Sequence, residues 1–241
     1  MTNDIVISVK NLVKKFGHFV ANDDLTFEVF RGEIFGFLGA NGAGKTTAMR
    51  ILCGLSRPTS GELFVDGLDV YTQAEHIKKR IGYMSQKFSL YEDLTVVENM
   101  RLYGGIYGLD DVAINNRSQE LLNELGLQEQ RNTLIAELPL GWRQKLAFSV
   151  ALFHHPAIVF LDEPTGGVDP ITRRQFWDLI YKAAHEGITL FVTTHYMDEA
   201  EYCDRVCIMN EGKIVALDRP RKLKEHYDAA TMNEVFIKIA R

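Results

Sequence analysis

Residues 39–46 read Gly-Ala-Asn-Gly-Ala-Gly-Lys-Thr, and no other stretch constrains this chain as much. They fit the pattern G-x-x-x-x-G-K-[ST]. The apolar run 34–38 precedes them as a short buried strand, and residues 45–53 follow with a helical pattern that Gly54 ends. A strand, a Gly-rich turn and a helix N-terminus in that order make a phosphate cradle rather than a decorative turn. Glycines let the backbone curl until its N–H groups face a phosphate, and the helix dipole adds its positive end. Lys45 then reaches the β- and γ-phosphates of a nucleotide, and the Thr46 hydroxyl is placed for Mg²⁺.

A second signal lies at residues 158–165, Ile-Val-Phe-Leu-Asp-Glu-Pro-Thr. An apolar strand ending in two acids delivers both carboxylates to its C-terminal edge, where open α/β sheets bind ligands. Asp162 would hold Mg²⁺, directly or through water. Glu163 would orient and deprotonate the attacking water. The competing reading of this segment is a helix N-cap acid ahead of Pro164.

The rest of the chain alternates strands and helices. Short alternating bursts over 4–30 read as antiparallel strands, and 60–70 as a hairpin around Asp66-Gly67. A strand is expected over 81–84 and a helical block over about 94–153. Strands over 157–161 and 188–193 alternate with helices over 171–185 and 196–202, and a final hairpin crosses Glu211-Gly212. An α/β fold is expected: a P-loop NTPase with a central, mostly parallel sheet, an N-terminal antiparallel β part and an inserted α-helical subdomain. With 241 residues, 46% apolar and 24% charged, it can bury a core without disulfides or metals.

The net charge of −5 weakens any nucleic-acid reading. Three cysteines without paired spacing point to a reducing compartment. The i, i+4 spacing of Cys203 and Cys207 suggests one helix face, but there is no second pair to complete a metal site. The longest stretch free of Asp, Glu, Lys and Arg is 146–161, interrupted by His154, His155 and Pro156. It falls short of the ~20 apolar residues of a membrane span. The N-terminus lacks a basic start followed by an apolar core, so a cytoplasmic location is expected, with any membrane role exerted through a partner. Lys78-Lys79-Arg80 and His154-His155 read as helix ends.

Read together with their neighbours, these motifs resemble the nucleotide-binding domains of ATP-binding cassette (ABC) proteins over about residues 7–236. The resemblance implies one cassette over 1–241, with a RecA-like core at about 1–86 and 154–241 and a helical subdomain at about 87–153. It implies ATP and Mg²⁺ as ligands. Phe16, Gly39, Asn41, Gly42, Ala43, Gly44, Lys45, Thr46 and Thr47 would bind nucleotide, with Phe16 stacked on adenine. Thr46, Gln86 and Asp162 would hold the metal, and Glu163, His195 and Gln86 would act in hydrolysis. Gly167 and Asp169 lie in the segment that crosses to a partner subunit. Taken singly, Phe16 also reads as a core aromatic, Gln86 as a surface polar and His195 as a helix-start histidine.

One departure is clear. Where the family has Leu-Ser-Gly-Gly-Gln facing the other subunit's ATP, this chain has Leu138-Pro139-Leu140-Gly141-Trp142. Pro139 offers neither hydroxyl nor N–H, and Leu140 adds a side chain, while Gly141 and a helix N-terminus remain. Arg143 then either offers a cation near the γ-phosphate or points to solvent. The runs DEPTGGVDPITRR and TTHYMDEAEYCDRV resemble drug- and small-molecule efflux exporters. That implies an ATPase subunit pairing with a second copy or another cassette, and driving an integral membrane permease subunit from the cytoplasmic face, with no nucleic-acid partner. Phe88, Leu90, Tyr91 and Leu94 would form a groove for a short helix of that permease, or pack within the helical subdomain. The alternatives are a soluble ATP-gated switch of the same fold and a nucleotide-dependent module that hydrolyses poorly.

Overall fold

The computed structural model describes residues 4–86 and 90–239. From the N-terminus, β1 (Ile5–Phe16) and β2 (Phe19–Phe30) form a long antiparallel hairpin, and β3 (Ile34–Gly39) runs into α1 (Lys45–Leu52). The hairpin β4 (Ser60–Val65) and β5 (Leu68–Asp69) leads to α2 (Ala74–Arg80) and β6 (Ile81–Met84). Three helices follow: α3 (Val96–Ile106), α4 (Asp111–Leu125) and α5 (Leu140–Ala151). Then come β7 (Ile158–Asp162), α6 (Pro170–His185), β8 (Thr189–Thr194), β9 (Arg205–Asn210) and β10 (Lys213–Asp218). The described chain closes with α7 (Pro220–His226) and α8 (Met232–Ile239).

Two sheets result. One is antiparallel, in the order β2-β1-β4-β5; the other runs β10-β9-β3-β8-β7-β6 and is parallel except for β10. β3, β7 and β8 are buried at every residue, which is why they read as unbroken apolar runs instead of alternating ones. Phe27, Phe35, Phe37, Phe160 and Phe191 cluster in the core that β1 and β2 share with the larger sheet; the Phe37 and Phe191 rings are 5.1 Å apart. The second core joins Leu38, Leu161 and Val192 of that sheet to Trp177 of α6 and to Met100, Leu121 and Leu146 of α3, α4 and α5.

Helix starts follow local chemistry. Thr95 and Glu98 form a reciprocal capping box for α3. Asp169 caps α6, whose first residue is Pro170. The expected helix-face pairing of Cys203 and Cys207 is wrong. Cys203 ends the 3-10 turn Met197–Tyr202, and Cys207 lies inside β9, whose apolar run is zipped parallel to β3. All three cysteines are buried free thiols. α7 and α8 add an ending that the sequence pattern did not announce. Among the described residues, no helix is long and apolar enough to cross a membrane.

Candidate nucleotide-binding site

The turn after β3 depends on glycine where its backbone is left-handed. Gly44 has φ +97°, and a Cβ there would lie 2.3 Å from the Ala21 carbonyl oxygen. At Gly39 a Cβ would lie 2.5 Å from the Met209 oxygen. The loop is thus wedged between the β1–β2 hairpin and β9, with Ala40, Asn41 and Gly42 left exposed at its rim.

Lys45 is buried beneath that rim. Its Nζ donates to the carbonyls of Gly39 (2.7 Å) and Ala40 (3.1 Å) and lies 3.8 Å from Glu163 Oε1. Burial pulls its pKa down, opposed by the charges of Glu163 and Asp162. Thr46 Oγ1 donates to Asp162 Oδ1 at 3.1 Å, and Thr193 Oγ1 donates to the same oxygen at 2.6 Å. Parallel pairing places Thr193 of β8 directly beside Asp162 of β7. Burial holds the Asp162 carboxyl above its usual range, partly offset by those two hydroxyls. A threonine hydroxyl and a carboxylate are hard oxygen donors, and Mg²⁺, which keeps most of its waters, needs few such ligands. The set therefore fits that ion.

Glu163, the residue after β7, has a left-handed conformation, φ +48°, which a non-glycine residue adopts only where its surroundings hold it. Its N–H is fixed by Thr193, to the carbonyl oxygen and to Oγ1, each at 3.1 Å. Gln86 Nε2 donates to Glu163 Oε2 at 3.0 Å. His195 Nδ1 stands 3.0 Å from the same oxygen without the alignment of a hydrogen bond. Lys45, Gln86 and His195 thus converge on one carboxylate, and Lys45, Thr46, Thr47, Gln86 and Glu163 line a cavity of about 360 Å³. A carboxylate so placed can accept a proton from a water molecule beside a bound phosphate.

Phe16 is half-exposed and lines an adjoining cavity with Thr46, Thr47 and Arg50, under the Lys14 ammonium at 4.6 Å. Phe19, its register partner across the hairpin turn, is also exposed and lines the main cavity; sequence reasoning passed over it. Its signal was an aromatic at the first position of a strand, two residues beyond the Phe16-Gly17 turn.

Leu138, Pro139, Leu140, Gly141 and Trp142 stand elsewhere. Pro139, Leu140, Gly141 and Trp142 border a separate cavity of about 370 Å³ together with Gly167 and Asp169. It shares no lining residue with the first. Pro139 caps α5 without a side-chain bond, its carbonyl taking the N–H groups of Trp142 and Arg143. Asp169 spends both carboxylate oxygens on the first turn of α6. Neither expectation for Arg143 holds. Its guanidinium turns back along the chain, donating to the carbonyls of Leu138 (2.7 Å) and Ala136 and to Glu92 Oε1 (3.1 Å). The free carbonyls of the loop before α5 offer a forked donor more than solvent does. Of the proposed groove, Leu90 is buried in the core shared by α3–α5, Tyr91 is exposed, and Phe88 lies outside the described residues.

A glycine-rich phosphate loop on β3, paired acids ending β7, β8 between them, and a run of helices inserted ahead of β7 define a P-loop ATPase of the cassette type. The ABC transporter family profile matches residues 22–166. The chain is 46% identical over 241 residues to the probable multidrug ABC transporter ATP-binding protein YbhF of Escherichia coli (strain K12). That match covers 98% of this chain and 42% of YbhF, so the chain spans about two-fifths of that relative's length. It is 35% identical over 232 residues to the Nod factor export ATP-binding protein I of Ralstonia nicotianae, covering 96% of this chain and 72% of that protein. The fold superposes on an ATP-binding subunit of an ABC transporter with TM-score 0.88 at 27% identity, over 98% of this chain and 100% of the other. It also superposes on the dimeric cassette MJ0796, bound to ADP and Pi after hydrolysis, with TM-score 0.79 at 26% identity, over 88% of this chain and 98% of that one. The chain belongs to the ABC transporter family.

Proposed function

We propose that this cassette energises an exporter, coupling ATP hydrolysis to the movement of a separate integral membrane permease. The observation that carries this reading is the convergence of Lys45, Gln86 and His195 on the Glu163 carboxylate beside the phosphate loop. Lys45 exchanges its carbonyl partners for the β- and γ-phosphates, and the N–H groups from Gly39 to Thr47 surround them. Thr46, Asp162 and Gln86 hold Mg²⁺, which neutralises phosphate charge when bound. Glu163 takes the proton of the attacking water, Gln86 orients that water, and His195 donates to the γ-phosphate. The half-exposed aromatic hairpin stacks on the base through Phe16, with Phe19 closing the side.

Leu138–Trp142, Gly167 and Asp169 serve a second cassette, either another copy or a paired one, because their cavity is separate from the chain's own phosphate loop. The helices of about 87–153 move against a core of about 1–86 and 154–241 and pass that movement to the permease on the cytoplasmic face. Relatives named as multidrug and Nod factor exporters support this reading, and the acidic net charge speaks against a nucleic-acid partner.

Glu163→Gln tests it. The variant keeps the contact with Gln86 and loses the base, so turnover falls by ~10²-fold or more while ATP-bound dimers accumulate in size-exclusion chromatography. Hydrolysis at the parent rate would place the base elsewhere.

A further inference from the structure

Glu199 sits in the 3-10 turn four residues beyond His195 and is completely buried. A carboxylate withdrawn from water requires partners. Thr165 Oγ1 donates to its Oε1 at 2.5 Å, and Arg173 Nε lies 3.7 Å from the same oxygen. Each partner belongs to a different segment. Thr165 follows Glu163 by two residues. Arg173 stands in the first turn of α6, its N–H bonded to the Asp169 carbonyl. The Arg173 guanidinium also lies 4.0 Å over the Tyr196 ring, whose other neighbour is the His195 ring at 4.1 Å, and it reaches Asp198 at 3.5 Å.

We propose that Glu199 is a positioning residue for hydrolysis. Held by Thr165 and Arg173, it fixes the segment carrying His195 against the segment carrying Glu163. This rests on the reading that Glu163 and His195 act on one phosphate. Two features separate Glu199 from an ordinary core ion pair. Its carboxylate is linked to segments that flank the site: to 163–165 and 169–173 directly, and through Arg173 to 195–198. And its saturation is incomplete, since Glu199 Oε2 and Arg173 Nε are buried and without a hydrogen-bond partner among the described residues. In low dielectric the loss of either remaining partner is costly. A shift of the 167–169 segment, through α6 and Arg173, therefore reaches Glu199 and with it His195.

The test compares Glu199→Gln, Thr165→Val and Thr165→Ser in the purified chain, each alone and combined with Glu163→Gln. The readouts are kcat, KM for ATP, single-turnover hydrolysis and melting temperature. Glu199→Gln and Thr165→Val are expected to lower kcat about tenfold with KM unchanged, the pattern of a group that acts on geometry in the transition state. Thr165→Ser keeps the hydroxyl and retains the parent kcat. On top of Glu163→Gln, neither change lowers single-turnover hydrolysis further, because the carboxylate against which His195 is held is already gone. Parent kcat in Thr165→Val overturns the proposal, as does a loss that multiplies fully onto Glu163→Gln. So does a fall in kcat that merely follows the melting temperature. If Glu199→Gln fails to fold, the Thr165→Val and Thr165→Ser pair decides alone. If Glu163→Gln itself hydrolyses at the parent rate, the reading of Glu163 fails first and takes the positioning role with it.

Discussion

Replacing Pro139 with Ser and Leu140 with Gly tests whether the altered turn ahead of α5 limits turnover. Pro139 is the N-cap of α5 but offers no side-chain acceptor. A serine there supplies one, worth about 1 kcal/mol. Leu140→Gly costs roughly 1 kcal/mol in helix propensity. The Leu140 side chain is 36% exposed, so removing it also gives up about two-thirds of a leucine's burial, roughly 1–2 kcal/mol. The double variant is therefore expected to melt below the parent, and any gain in rate runs against that loss. A hydroxyl bonded to a charged phosphate oxygen contributes about 1.5–3 kcal/mol. At about 1.4 kcal/mol per tenfold, that is a rate increase of ~10- to 100-fold if the bond tightens in the transition state. Removing Leu140 also clears the approach beside Gly167, where its Cδ2 stands 3.8 Å from the position of a Cβ. Steady-state phosphate release at saturating ATP, single-turnover hydrolysis and a thermal melt would be run on the parent and the double variant. A slow parent and a faster variant with a modestly lower melt are expected. If the variant is fully folded at the assay temperature and neither rate rises, then Gly141 and the N-terminus of α5 already supply the needed donors, and the argument from the missing hydroxyl is wrong.

Lys45→Ala removes the buried ammonium and should weaken ATP binding by at least ~10- to 100-fold, from about 1.5–3 kcal/mol per charged hydrogen bond; unchanged affinity by calorimetry would contradict the phosphate-loop assignment. Arg143→Met strips the fork from Leu138, Ala136 and Glu92 and should lower stability by about 1–2 kcal/mol in a denaturant titration. Arg143→Lys should recover only part of that, because one ammonium cannot span all three acceptors. Asp162 carries a pH signature. Its folded pKa is raised by burial, so the folded chain binds the extra proton and the cost of burying the charge is relieved as pH falls through that value. Without Mg²⁺, Asp162→Asn should therefore be more stable than the parent at neutral pH, with the gap closing toward pH 4; a constant gap in denaturation midpoints would remove burial as the cause.

Much of this was legible in the chain because the physics was local. The turn at 39–46 announces itself through glycines that no other residue replaces, and β7 through an apolar run that stops at two acids. What was not legible depends on neighbours distant in sequence. Thr193 is an unremarkable strand residue until parallel pairing sets its hydroxyl against Asp162. Arg143 follows a recognisable motif, yet its direction is decided by the free carbonyls of Ala136 and Leu138 and by Glu92, which is 51 residues away in the chain. The i, i+4 spacing of Cys203 and Cys207 suggested one helix face although the expected hairpin across Glu211-Gly212 already placed Cys207 on a strand; two cysteines alone do not tell the two periods apart. Glu199 is one acid among several over 198–204 in the sequence; its complete burial appears only once α6 and the 163–165 segment pack against it.

The strand order also sets a timetable. The phosphate loop follows β3 and the acids end β7, but β8 lies between those strands and comes later in the chain. A chain emerging from the ribosome presents its glycine loop first and Asp162 more than a hundred residues later, at about 5–20 residues per second. Neither stands in its final place until Thr189–Thr194 has emerged and slid in between. Nucleotide thus has no completed pocket to stabilise on a nascent chain shorter than that. The inserted helices are synthesised while the larger sheet is still open at its centre, and nucleotide meets a complete phosphate site only once both β8 and β9 have left the ribosome.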